Sequence, residues 1–143
     1  MFAVILIALL LVAISTTVQA VGLAVLLRWL TRLGPDTPVA LLPVTWLLIR
    51  VVWWLIVLHA TVIAIWALGY WALGCLPDAE SAIYFSGVTY ATVGFGDLLL
   101  PQPWRILGPI EGLTGILMCG LSTGYFFAIA SRLYSVASRG EGR

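Results

Sequence analysis

"TYATVGFGDLLLP", residues 89–101, is the stretch where an otherwise apolar chain concentrates glycine and places an acid, Asp97. Long hydrophobic segments flank it on both sides. Gly94 and Gly96 alternate with Val93 and Phe95, and glycine adopts positive φ without the steric cost other residues meet. A backbone that alternates in this way can point successive carbonyl oxygens to one side. Such a row, turned toward a common axis, replaces a cation's hydration shell without introducing fixed charge. Thr92 adds a hydroxyl oxygen at one end of the row.

The residues just upstream, "CLPDAESAIYFSGVTY" (75–90), predict a short helix over 78–91. Pro77 and Asp78 suit its start, with Asp78 or Ser81 as cap and Glu80 in the first turn. A helix of about twelve residues crosses only about half of a bilayer. Chain that dips in and returns without helix is tolerated at depth only inside protein or against water. The 92–97 segment is therefore expected to line a pore or a buried site. The helix before it aims its negative C-terminal dipole the same way, which favours a cation.

Further out, the chain is a membrane protein by composition. Of its 143 residues, 62% are hydrophobic and 9% charged, too few charges to clothe a soluble domain of this size. Apolar runs over 2–27, 44–75 and 103–131 each exceed the roughly 18 residues that read as a span. The expected organisation is an N-terminal helix over 1–32, a cytoplasmic linker over 33–43, an outer helix over 44–75, an inner helix over 103–135 and a tail over 138–143. "MFAVILIALLLVAISTTVQA" loosely resembles a signal peptide, but no Lys or Arg precedes its apolar run and hydrophobicity continues to Arg28. The first helix is therefore expected to be retained. All seven basic residues are arginine. With the 89–97 segment outside, every one of them except Arg105 falls on the cytoplasmic side, as the positive-inside bias requires. The N-terminus is then extracytoplasmic and the C-terminus cytoplasmic.

Thr92-Val93-Gly94-Phe95-Gly96-Asp97, preceded by Thr89, resembles the selectivity filter of the potassium channel superfamily. The order outer helix, pore helix, filter, inner helix over residues 44 to about 135 is similar to the small bacterial pore-loop channels, with an extra N-terminal helix. That resemblance implies an all-α membrane protein whose pore domain, 44–137, assembles as a homotetramer in the lipid bilayer of the cell membrane. It implies K⁺ coordinated by the carbonyls of Thr92, Val93, Gly94 and Phe95 and by the Thr92 hydroxyl, with Gly96 completing the motif and Asp97 capping the outer mouth. No cofactor beyond the permeant K⁺ is implied. Phe95 stands where the motif more often has tyrosine, so it lacks the hydroxyl that would brace the filter. Val88 stands where several bacterial members carry a glutamate that clamps the aspartate, a clamp this chain cannot make.

In "PWRILGPIEGLTGILMCGLSTGYFFAIASRL", alignment on Arg105 puts Gly115 at the family's hinge glycine. Independently, Ile116, Cys119, Thr123, Phe127 and Ser131 fall on one helical face. That face is expected to line the cavity, with Phe127 as the candidate gate constriction. Gly115, Gly120 and Gly124 fit either a hinge or close helix packing, and both readings stand. Glu111 is the acid deep in an apolar helix, and intramembrane acids are functional candidates by default. It points away from the cavity face. One reading is a buried carboxylic acid bonded to pore-helix groups such as Thr89 or Tyr90; the other is a proton-sensitive regulatory element.

The remaining polar residues read as structural. His59 has no second ligand nearby in sequence and is expected to be a hydrogen-bonded packing residue. Arg50 is expected to snorkel to headgroups. Trp46, Trp66, Tyr70 and Trp71 suit an aromatic belt near the ends of the outer helix, while Trp53 and Trp54 are expected to touch lipid or another helix. Cys75 and Cys119 lie at different depths, so no disulfide is expected. No repeated arginines of a voltage sensor, no phosphate-cradling loop with lysine, no metal-ligand cluster and no serine–histidine pairing on a shared segment occur. The expected activity is passive, selective K⁺ flux. A nonselective cation channel and a non-conducting subunit that keeps the fold are the alternatives.

Overall fold

The computed structural model describes residues 2–32 and 41–140. The expected linker residues 33–40 and tail residues 141–143 lie outside them. Four α-helices run α1 (Phe2–Arg32), α2 (Leu41–Ala72), α3 (Ala79–Tyr90) and α4 (Leu107–Gly140), with a 3-10 turn at Trp104–Ile106 leading into α4. There is no strand among the described residues. Phe2–Arg32, Pro43–Ala72 and Trp104–Tyr134 are each long and apolar enough to cross a membrane. The molecule is an all-α, multi-pass membrane protein.

α1 is apolar on every side, yet it buries one stripe: Val4, Ala8, Leu11, Ser15, Gln19, Gly22 and Leu26 recur at steps of four and three. Ala8, Ser15 and Gly22 repeat along it as small side chains that let α2 come close. A Cβ at Gly22 would overlap the Leu58 side chain. Backbone and side-chain polar groups meet across this seam. Trp54 Nε1–H donates to the Gly22 carbonyl at 3.0 Å, and Trp66 Nε1–H to Ser15 Oγ at 3.0 Å. Gln19 reaches α4, where its Nε2 donates to Ser122 Oγ at 2.7 Å, leaving its Oε1 buried without a partner.

α2 buries Val51, Leu58, Val62, Trp66 and Tyr70, again on one helical face. Trp66 and Tyr70 are fully buried, which corrects the expectation that they join an interfacial belt. They lie one turn apart on the stripe that faces the other helices, so their polar atoms bond protein rather than headgroups. Trp46 and Trp71 are exposed, and Arg50 lies over the Trp46 ring at 5.4 Å. Trp53 is exposed in the single chain.

α3 and α4 run side by side in the same direction. A Cβ at Gly108 would lie 3.7 Å from the Phe85 ring, and one at Gly112 would lie 3.4 Å from the Thr89 carbonyl oxygen. One at Gly115 would overlap the Tyr90 carbonyl oxygen. Close packing is thus the role the structure gives Gly115, whereas Gly120 and Gly124 have nothing within 4 Å. The buried side of α4 carries Glu111, Thr114, Met118 and Ser122, so the long helix has one protein-facing and one open face.

Candidate functional site

Asp78 begins α3 as its sequence position dictates: it is extended, and its Oδ1 accepts from the Ser81 backbone N–H at 2.7 Å. Glu80 sits in the first turn. With twelve residues α3 is about 18 Å long, little more than half of a roughly 30 Å hydrocarbon core. Its other end is a Schellman arrangement. Val93 N–H donates to the Val88 carbonyl at 2.9 Å and Thr92 N–H to the Thr89 carbonyl at 2.9 Å. Gly94 N–H also turns back to the Val88 carbonyl, at 3.1 Å. The loop's first amides are consumed by the helix end. None of the described hydrogen bonds is accepted by a main-chain carbonyl of residues 92–96.

The left-handed position in that motif normally falls to glycine. Here it falls to Thr92, at φ 59°. Gly94 follows at φ 51° and Gly96 at φ 78°, while the intervening Val93 and Phe95 keep negative φ. The alternation therefore begins one residue pair earlier than the glycines alone indicate. A threonine held left-handed costs about 1–2 kcal/mol relative to an ordinary backbone. Strain of that kind persists where surrounding structure over-determines it, commonly at functional sites.

The whole loop is open in a single chain: residues 91–97 are exposed, Phe95 at 69%. Asp97 is exposed too, and its Oδ2 accepts from the Tyr84 hydroxyl at 2.7 Å. The same bond holds the Asp97 carboxyl below the usual carboxylate range and pushes the Tyr84 phenol up. Val88 does not clamp the acid, and Tyr84, one helical turn earlier, takes that part. Sequence reading missed the pair, although the spacing of Tyr84 and Val88 by four residues puts both on one face of α3. A groove of about 610 Å³ runs between the loop and the start of α4, lined among others by Val88, Thr89, Gly94, Asp97, Arg105 and Gly112. Within that lining Arg105 donates from Nε to the Leu100 carbonyl at 3.1 Å.

Behind the loop, Glu111 is fully buried. It is bonded to α3 as expected, but through Ser86 rather than Thr89 or Tyr90. Tyr70 Oη lies 2.6 Å from Oε2 and Ser86 Oγ lies 2.5 Å from Oε1. Helical side chains lean toward their own N-terminus. Glu111 therefore reaches the earlier turn of α3, while Gly112 and Gly115 lie against the backbone of Thr89 and Tyr90. The Tyr90 hydroxyl is instead 2.9 Å from His59 Nδ1, which ties α2 to the last turn of α3. Cys75 and Cys119 are both free.

On α4, Ile116, Cys119, Thr123, Phe127 and Ser131 are all exposed on one face in the single chain, Phe127 at 71%. Thr123 Oγ1–H bonds the Cys119 carbonyl at 2.9 Å, so its oxygen lone pairs remain available. The structure thus groups 92–97 in one loop and Ile116, Cys119, Thr123 and Phe127 on one open face, and sets Glu111 and Gly115 on the opposite, packed side. Among the described residues no group of three His, Cys, Asp or Glu side chains could hold a metal ion.

Residues 51–132 match a family model described as an ion channel. No curated protein and no solved structure matches the chain.

Proposed function

The chain belongs to the ion-channel family, and on that premise we propose that four copies form a potassium-selective pore, each giving one loop. Thr92, Val93, Gly94 and Phe95 present their carbonyls to the axis, and Thr92 adds its hydroxyl. Gly96 completes the turn and Asp97 sits at the outer mouth. One exposed loop cannot encircle an ion; four can. The observation that carries this reading is the run of positive φ at Thr92, Gly94 and Gly96, with the loop's first amides turned away and its carbonyls unclaimed. Thr92 in a glycine's place supports it further, since the strain retains a hydroxyl where a dehydrated cation needs an oxygen.

A neighbouring copy fills the groove beside the loop and covers Phe95, whose ring has no cover within its own chain. Ile116, Cys119, Thr123 and Phe127 line the cavity below, with the Phe127 rings as the narrowest point. Gly120, which faces open space, is the better candidate for a bend than the packed Gly115. The channel lies in the cell membrane with its N-terminus outside and its C-terminus inside, and K⁺ is its permeant ligand rather than a cofactor.

The test is flux from liposomes under K⁺ or Na⁺ gradients, for the chain and for Gly94→Ala. A side chain at φ 51° strains the backbone by about 1–2 kcal/mol and turns a carbonyl, so K⁺ flux is expected to fall to the protein-free background. Equal K⁺ and Na⁺ flux identifies a nonselective cation channel. No flux from the unsubstituted chain identifies a non-conducting subunit.

A further inference from the structure

The buried knot that joins α2, α3 and α4 contains more hydrogen-bond contacts than its hydroxyls can supply. Tyr70 Oη meets Glu111 Oε2 at 2.6 Å, Ser86 Oγ meets Glu111 Oε1 at 2.5 Å, and Ser86 Oγ also meets the Ile63 carbonyl oxygen at 2.9 Å. Each oxygen–oxygen contact needs one proton between its atoms. Tyr70 and Ser86 bring one proton each, and a carbonyl oxygen brings none. With an ionised Glu111, one of the three contacts is left as two lone pairs facing each other.

A proton on Glu111 completes the set. The acid donates to Ser86, Ser86 donates to Ile63, and Tyr70 donates to the acid's other oxygen. Every polar atom is then paired, which is what a buried polar network requires. Charge leads to the same assignment. The carboxyl is fully buried, and both of its side-chain partners are neutral hydroxyls, whereas a buried carboxylate is tolerated when a cation offsets its desolvation. The Tyr90 hydroxyl on α3 is engaged with His59 on α2, at 2.9 Å, and not with the acid.

We propose that Glu111 stands in the membrane as a neutral carboxylic acid that donates to Ser86, and so positions α3, with the loop it carries, against both long helices. In this form it adds no charge behind the loop. It is a positioning residue, because it touches no part of the proposed ion path. The assignment rests on the packing of three helices within one chain and not on conduction, so it stands or falls separately from potassium selectivity.

The chain contains three glutamates, Glu80, Glu111 and Glu141. Carboxyl-¹³C-labelled glutamate in the full chain, assembled in lipid at neutral pH, therefore gives a readable solid-state NMR signature. One signal is expected at the position of a neutral carboxyl, and it disappears in Glu111→Gln. That variant is expected to keep its assembly and its flux, because an amide donates to Ser86 through its nitrogen and accepts from Tyr70 through its oxygen. Three ionised carboxylate signals in the unsubstituted chain overturn the proposal. So does a neutral signal that survives Glu111→Gln, or a Glu111→Gln chain that fails to assemble.

Discussion

Two polar regions interrupt this apolar chain, and they are built on opposite plans. The knot of Tyr70, Ser86 and Glu111 is sealed inside one chain, with its oxygens matched to one another. The 92–97 loop is open, its first amides tied back to α3 and its carbonyls left without partners. A buried polar group without a partner is costly, so the first plan suits a structural joint. Unclaimed oxygens on a fixed scaffold suit the second plan to something brought from outside, which is how an ion-channel loop operates. Substitutions in the knot should cost fold, and substitutions in the loop should cost function.

The largest effect on stability is expected from Glu111→Leu. It removes the carboxyl and strands the Tyr70 hydroxyl and a contact of Ser86, at about 1–3 kcal/mol for each group left unsatisfied. Thermal unfolding in detergent or lipid measures it. A midpoint unchanged from the parent chain would mean that the knot is not a joint. Flux in surviving assemblies should stay selective, because the loop itself is untouched.

Thr92→Gly sharpens the contrast from the other side. Relief of left-handed strain is offset by the greater freedom of glycine in the unfolded chain, so stability should shift by less than about 1 kcal/mol. Selectivity for K⁺ over Na⁺ should nevertheless fall, because the hydroxyl is gone. A variant that is as selective as the parent would leave the strain at Thr92 without a functional reason.

Tyr84→Phe is the mildest. The bond from Tyr84 keeps Asp97 ionised below the usual carboxylate range, and an acid of this kind contributes its stabilisation above its unfolded value. That contribution is lost as pH falls through the depressed folded value. Without the phenol, Asp97 takes up its proton at a higher pH. The acid limb of the flux–pH profile should move toward neutral pH, with little change above it. Coincident acid limbs in the two proteins would show that the pair does not hold the outer mouth.

The two regions were also unequally legible in the sequence. The three spans follow from run length and composition, and the short α3 from Asp78, Glu80 and its distance to the glycines. The loop is local in sequence, so the alternation at Gly94 and Gly96 is written in adjacent residues. The knot is not local. Tyr70, Ser86 and Glu111 lie on three helices, and their meeting depends on register between α3 and α4, which placed Glu111 one turn from its expected partners. The burial of Trp66 and Tyr70 was hidden for a related reason. Lipid and protein interior are equally apolar, so hydrophobicity does not say which side of a membrane helix faces which. The same ambiguity applies to α1, apolar all round, whose small residues Ser15 and Gly22 meet Trp66 and Leu58 of α2.

The open loop needs copies of itself to close around an ion. The most direct measurement is a density map of the purified chain in lipid with K⁺ present, at a resolution that shows ions. Four copies are expected around one axis, with density aligned between the carbonyls of Thr92, Val93, Gly94 and Phe95. Any other number of copies, or four loops whose oxygens turn away from an empty axis, would contradict that expectation.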